Sequence, residues 1–118
     1  MTTERSLLEN AYDAFNARDL DTALAVMHVD VDWPNGMEGG SVYGHEAVRD
    51  YWTRQWDLID PHVEPLRFEV DEDGRTVVDV RQVVRDLNGN IMVDEIVQHV
   101  YLIEDGLVRS MEIRKPQT

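Results

Sequence analysis

No cysteine occurs anywhere in the chain. Its absence excludes disulfides, thiolate metal sites and a cysteine nucleophile. Basic residues are scarce as well: 11 lysines and arginines stand against 24 aspartates and glutamates, for a formal net charge of −13. Nucleic-acid binding depends on Lys and Arg neutralising phosphates, so no nucleic-acid partner is expected. An anionic membrane surface would repel the chain in the same way. Long apolar runs are missing too. None approaches the ~18 residues of a membrane span, and no basic segment precedes an apolar stretch at the N-terminus. The expectation is a cytoplasmic protein with no membrane partner. The four histidines, His28, His45, His62 and His99, show no HxH or HExxH spacing. No metal site is therefore expected, and no cofactor is implied. His45 reads as a cap of the helix that follows it, and His99 as an outward residue.

What is present fits one globular domain over residues 1–118. Apolar residues make up 42% and charged residues 30%, which argues against disorder. A chain of this length buries one core rather than two. Leu8, Ala11, Tyr12 and Phe15 share one helical face, with Thr2 or Thr3 as cap. Asp19 reads as the N-cap of a second helix whose apolar face is Leu20, Ala23, Leu24 and Met27. "NARDLD" is then a tight corner between helices. Residues 31–33 form a short strand. Val48, Tyr51, Trp52, Gln55, Trp56 and Ile59 predict a third helix over 45–59, ended by Asp60-Pro61.

Beyond that point the periodicity switches to two. Strands are expected over 63–70, 76–86, 91–103 and 107–114, the middle pair joined by "LNGN", whose Asn-Gly is a strong hairpin signal. Helices followed by an antiparallel meander make an α+β domain. Long strands twist, so the sheet should curl into a cone-shaped antiparallel surface packed against the three N-terminal helices. In 76–86, Val78, Val80, Gln82 and Val84 form the face that meets the helices, while Asp79, Arg81, Val83 and Arg85 face out. In 91–103, one face is Met92, Asp94, Ile96, Gln98, Val100 and Leu102, and the other is Val93, Glu95, Val97, His99 and Tyr101.

Three segments in order, "AYDAFNARDLDTALAVMHVDVDW", "VYGHEAVRDYW" and "HVYLIEDGLVRSMEI", resemble the nuclear transport factor 2-like superfamily, which includes the SnoaL-like polyketide cyclases and the ketosteroid isomerases. The resemblance spans nearly the whole chain. It implies a cystatin-like α+β roll, a conical pocket, and commonly a homodimer through the outer sheet face. Matching "IVQHV" to the isomerases puts Gln98 on the inner face, near their oxyanion-stabilising acid. The same offset turns Met111 and Ile113 inward. Val83, Val93, Val97, His99 and Tyr101 would then form an outer apolar patch suited to a homodimer.

Ketosteroid isomerases combine a carboxylate base with an oxyanion hole of a tyrosine and a protonated aspartate. The resemblance places Asn35 at the carboxylate position and Ala11 at the tyrosine position, with Tyr12 one residue away. Asn cannot act as a base, so steroid isomerisation is not expected. Trp33-Pro34-Asn35 resembles the aromatic–asparagine pair of limonene epoxide hydrolases. Their Arg-x-Asp dyad, however, is reversed here as Asp79-Val80-Arg81 and placed outside.

Asp94 is the carboxylate that alternation turns inward. Buried, it would have a raised pKa and could serve as an acid or base; in water at the hairpin end it would be structural. Glu38, on the Gly-rich loop, is a second candidate with the same two alternatives. Trp33, Asn35, Tyr51, Trp52, Trp56, Gln82, Gln98 and Met111 together make a mostly apolar wall with a few orienting polar groups, the usual composition of a small-molecule site. The alternative is ordinary core packing. A buried amide needs a partner, so Gln82 and Gln98 should bond to each other, to water or to a ligand. Two functions fit. One is a cofactor-independent isomerase, cyclase, dehydratase or hydrolase acting on an apolar, ring-containing substrate. The other is a non-catalytic small-ligand-binding or dimerisation domain.

Overall fold

The "NARDLD" corner is the joint on which the fold turns. The computed structural model describes residues 3–35 and 39–115; Thr2, the side chain of Thr3, and Glu38 lie outside what it describes. In chain order the elements are α1 (Thr3–Asn16), α2 (Leu20–Ala25), β1 (Met27–Pro34), β2 (Ser41–Tyr43), α3 (Gly44–Leu58), β3 (Asp60–Val70), β4 (Thr76–Arg85), β5 (Ile91–Glu104) and β6 (Leu107–Arg114). Between α1 and α2, Arg18 adopts a left-handed backbone with φ of 62°. That strain is held by its guanidinium, which donates to the carbonyls of Phe15 (3.2 Å) and Pro61 (2.9 Å) and pairs with Asp60. Asn16 exchanges two hydrogen bonds with the Val63 backbone, at 2.7 and 3.0 Å. Asp19 caps α2 by accepting from the Thr22 amide at 3.3 Å. The corner is thereby tied to the start of β3.

Six strands form one sheet in the order β2-β1-β6-β5-β4-β3. The expected meander β3 to β6 is antiparallel throughout. β1 adds to its edge in parallel with β6, a pairing that no local signal in a short strand discloses. α3 begins at Gly44, whose φ is +86°, and a Cβ there would stand 3.4 Å from the Val29 carbonyl. The helices pack on the concave face, where Leu8, Tyr12, Val48, Tyr51 and Trp52 meet Val78, Val80, Val97, Tyr101 and Met111 in one core. His45, in the first turn of α3, uses Nε2 to reach the Met27 carbonyl at 2.9 Å. Among the described residues no helix is long and apolar enough to cross a membrane.

The face assignment of β4 holds, with Val78 and Val80 fully buried. That of β5 is reversed. Val78 stands opposite His99, Val80 opposite Val97, and Gln82 opposite Glu95. Directly opposed residues share a face, so Val97, His99 and Tyr101 point inward, while Asp94, Ile96 and Gln98 lie on the convex side. The physical cause is a bulge. Arg85 pairs with Ile91 and Val84 with Val93, leaving Met92 as an extra residue that shifts the register by one. The outer apolar patch therefore dissolves: of Val83, Val93, Val97, His99 and Tyr101, only Val83 lies on the convex face. That face instead carries Arg81 bound to Asp94 through two bonds of 3.0 and 2.8 Å, and Gln98 donating to Asp79 at 3.0 Å.

Candidate functional site

A cavity of about 330 Å³ lies between the concave sheet and helices α1 and α3. Five residues singled out from the sequence line it: Trp33 from β1, Tyr51 and Trp52 from α3, Gln82 from β4 and Met111 from β6. Four do not. Asn35 closes the loop after β1 through its backbone, which bonds to Gly40 O and Gly39 N at 3.0 and 2.9 Å. Trp56 sits behind the wall, packed on Phe15 and Trp52 at 5.4 and 5.9 Å, with the Arg18 guanidinium 4.9 Å from its ring. Gln98 and Asp94 are on the other face of the sheet, where Gln98 bonds to Asp79 and so cannot meet Gln82, one of the partners expected of it.

The aromatic wall explains the start of "DWPNG". β1 turns the Trp33 indole edge-on to Trp52 at 5.5 Å, and Trp52 meets Phe15 at 5.1 Å in the same manner. Such edge-to-face pairs stabilise rigid apolar surfaces. Pro34, next in line, also borders the cavity. Trp52 reaches Trp33 because α3 places one turn of its apolar face against β1.

Three polar residues, His99 and Tyr101 that alternation left outside and Tyr12 from the apolar face of α1, meet at the closed end. Tyr101 donates from its hydroxyl to Tyr12 Oη at 2.7 Å, and Tyr12 Oη lies 2.9 Å from His99 Nδ1. Tyr101 Oη is itself 3.4 Å from that nitrogen. The rings of Tyr12 and His99 are nearly parallel at 5.8 Å, and Tyr101 stands edge-on to both. Tyr12, His99 and Tyr101 are 5%, 6% and 3% exposed. Burial lowers the His99 pKa to about 4. Burial raises Tyr12 well above its usual range, reinforced by Tyr101 beside it. Burial also raises Tyr101, partly offset by its bond to Tyr12. All three are neutral at pH 7.

Two orders of donation fit the Tyr12–His99 pair, one for each neutral tautomer of the imidazole. Tyr101 spends its proton on Tyr12. When Tyr12 in turn donates to His99 Nδ1, the imidazole is the Nε2–H tautomer. Nε2 has no partner among the described residues. In that order the cluster ends in one unspent donor beside an apolar wall. The signal that could have found it is the i, i+2 pair His99 and Tyr101 on one strand face, read in phase with the β4 valines.

Asp94 belongs to a different environment. It lines a second hollow, on the convex face, with His62, Glu64, Arg81 and Arg85. Its hydrogen bonds from Arg81 hold its carboxyl below the usual range. The raised pKa expected of a buried acid is therefore replaced by a lowered one, and Asp94 is ionised near neutrality. Among the described residues lining the inner cavity there is no carboxylate, and among the described residues no group of three or more His, Asp or Glu could hold a metal ion.

The model of the SnoaL-like domain family matches residues 8–111. TerC, co-crystallised with polyporic acid, superposes with a TM-score of 0.84 at 25% identity, over 98% of this chain and 92% of that one. An NTF2-like protein of unknown function from Burkholderia pseudomallei K96243 gives 0.84 at 28% identity, over 98% and 92%. RV0760c from Mycobacterium tuberculosis, in complex with estradiol-17β-hemisuccinate, gives 0.79 at 17% identity over 94% and 92%, a likeness of fold. No curated protein matches the chain in sequence.

Proposed function

The chain belongs to the SnoaL-like domain family, a small-molecule cyclase and isomerase type of family, and from that premise we propose that its inner cavity holds an apolar, ring-containing molecule by one oxygen. The observation that carries this reading is His99 in the lining of an aromatic cavity, its Nε2 without a hydrogen-bond partner among the described residues and a donor when Nδ1 accepts from Tyr12. A carbonyl oxygen placed there would accept that hydrogen bond in a site of low dielectric, where it is stronger than in water. Polarising the carbonyl in this way lowers the energy of the adjacent enolate, which serves isomerisation or ring closure without a cofactor. Two structures of this fold support the ligand class: TerC was crystallised with polyporic acid and RV0760c with estradiol-17β-hemisuccinate. A cytoplasmic location and a homodimer through the convex face belong to the same proposal; Ile91, Ile96 and Leu102 are exposed apolar residues on that face.

A second reading is binding without turnover. It is favoured by the lack of a carboxylate among the described lining residues, since a proton abstracted from carbon needs a base. One experiment serves both. Titration with a polycyclic ketone such as 5α-androstan-17-one should quench tryptophan fluorescence saturably, and His99→Phe should weaken binding about tenfold. NMR of the recovered ketone after incubation in deuterated water reports on turnover: deuterium beside the carbonyl means enolisation, and its absence means binding alone. Absence of saturable quenching would reject the cavity as a site.

A further inference from the structure

Gln82 is the one amide on the concave face of β4, whose other residues are Thr76 and three valines. Its neighbours along the concave side of β4 are Val80 and Val84, and across the sheet it faces Val63 and Glu95. Valine would suit such a wall better, because β-branched residues pack well on pleated surfaces and a half-buried amide gains only if something bonds to it. Among the described residues, the Gln82 amide has no hydrogen-bond partner, although it lines the cavity. The other glutamine in the lining, Gln55, already donates to Tyr51 Oη at 3.4 Å.

Position decides what Gln82 can do. His99 stands opposite Val78, and Gln82 lies four residues further along β4, about 13 Å away at the usual strand rise. Val80 and Val97 fill the interval. The closed end holds His99, Tyr12 and Tyr101. Toward Gln82 the lining opens, and Met92, the bulged residue, is 59% exposed. On its sheet side the cavity therefore has two polar poles with an apolar stretch between them, the Tyr51–Gln55 pair standing on α3. One pole offers a donor, and the other offers both a donor and an acceptor.

Resting on the reading that this cavity binds a ring-containing molecule, we infer that Gln82 is a specificity residue that bonds a second polar group at the ligand's outer end. The ligand class is then an elongated, rigid, apolar ring system with an oxygen at each end, the two oxygens on the order of 10 Å apart once a hydrogen bond is allowed at each pole. A molecule with one oxygen would satisfy His99 and leave the Gln82 amide against apolar carbon.

Two rigid probes of one skeleton test this: 5α-androstane-3,17-dione, with carbonyls at opposite ends, and the monoketone 5α-androstan-17-one. Affinities are read by tryptophan fluorescence for the wild type, for Gln82→Met, which nearly conserves volume, and for Gln82→Leu, each confirmed as folded by its thermal melt. The wild type should prefer the dione about fivefold, and both variants should bind the two probes equally. Equal binding of the probes by the wild type would overturn the assignment, as would a preference that survives in both variants; in either case saturable quenching leaves the cavity reading standing. No quenching by either probe would overturn the cavity reading and this inference with it.

Discussion

The two faces of the β4–β5 hairpin are made from the same strands, and neighbouring residues on them live in opposite chemistries. On the concave side His99 is buried, and desolvation lowers its pKa to about 4. On the convex side Asp94 is solvated, and Arg81 holds its carboxyl low. Water screens the convex pairs, so their contribution is small although the Arg81–Asp94 geometry is good. Inside, every hydrogen bond of Tyr12, Tyr101 and His99 replaces one to water, and an unmade bond costs more than a made one gains. The concave face is therefore where a single atom changes both stability and binding.

That contrast should be sharpest in pH dependence. The folded pKa of His99, about 4, lies below its ordinary value of 6.5. The stability this represents is complete above about 6.5 and is lost as pH falls from there to about 4, where the native state also takes the proton. The loss amounts to ~3 kcal/mol. Urea unfolding at intervals across that window should show it, and His99→Phe should flatten it. The carboxyls of Asp71, Asp86 and Asp94 are lowered from 3.8, so their contributions are lost mainly below that pH and touch only the acid end of the window.

Next in size are the hydroxyls. At pH 7, His99→Phe strands the Tyr12 proton and should cost ~2 kcal/mol. Tyr12→Phe should cost less, ~1 kcal/mol, because Tyr101 Oη already lies 3.4 Å from His99 Nδ1 and can turn its proton there. Equal losses in the two variants would break the proposed order of donation. On the convex face, Asp94→Asn should leave the unfolding midpoint unchanged at moderate salt. The smallest expected effect concerns association. If the homodimer forms through this face, Ile96→Asp should shift sedimentation toward the monomer without altering probe binding in the cavity.

Much of this architecture was legible in the sequence. The change from helical to strand periodicity near residue 63 marks where the helices end and the meander begins, and β6 runs over the expected 107–114. Trp52, Tyr51 and Gln82 reach the cavity because each lies on an unambiguous apolar face. β5 offered no such guide. Both of its faces carry apolar residues, Met92, Ile96, Val100 and Leu102 on one and Val93, Val97 and Tyr101 on the other. Alternation alone is then degenerate. Counting from the Asn-Gly turn would also fail, because the bulge at Met92 adds one residue before the register settles. A slip of one position exchanges Gln98 for His99 and hides the cluster. The parallel pairing of β1 with β6 was hidden for another reason: it is a contact between distant parts of the chain.

The protonation state of His99 is the point on which these expectations converge. Long-range ¹H–¹⁵N correlation of the histidine side chains, followed through a pH titration, observes it atom by atom. At pH 7 the expected spectrum shows His99 with Nε2 protonated and Nδ1 bare, unchanged down to about pH 4, and with the Nε2 signal shifting when a polycyclic ketone binds. A His99 that carries its proton on Nδ1, or that titrates near 6.5, would contradict the hydrogen-bond order and the donor assigned to the ligand.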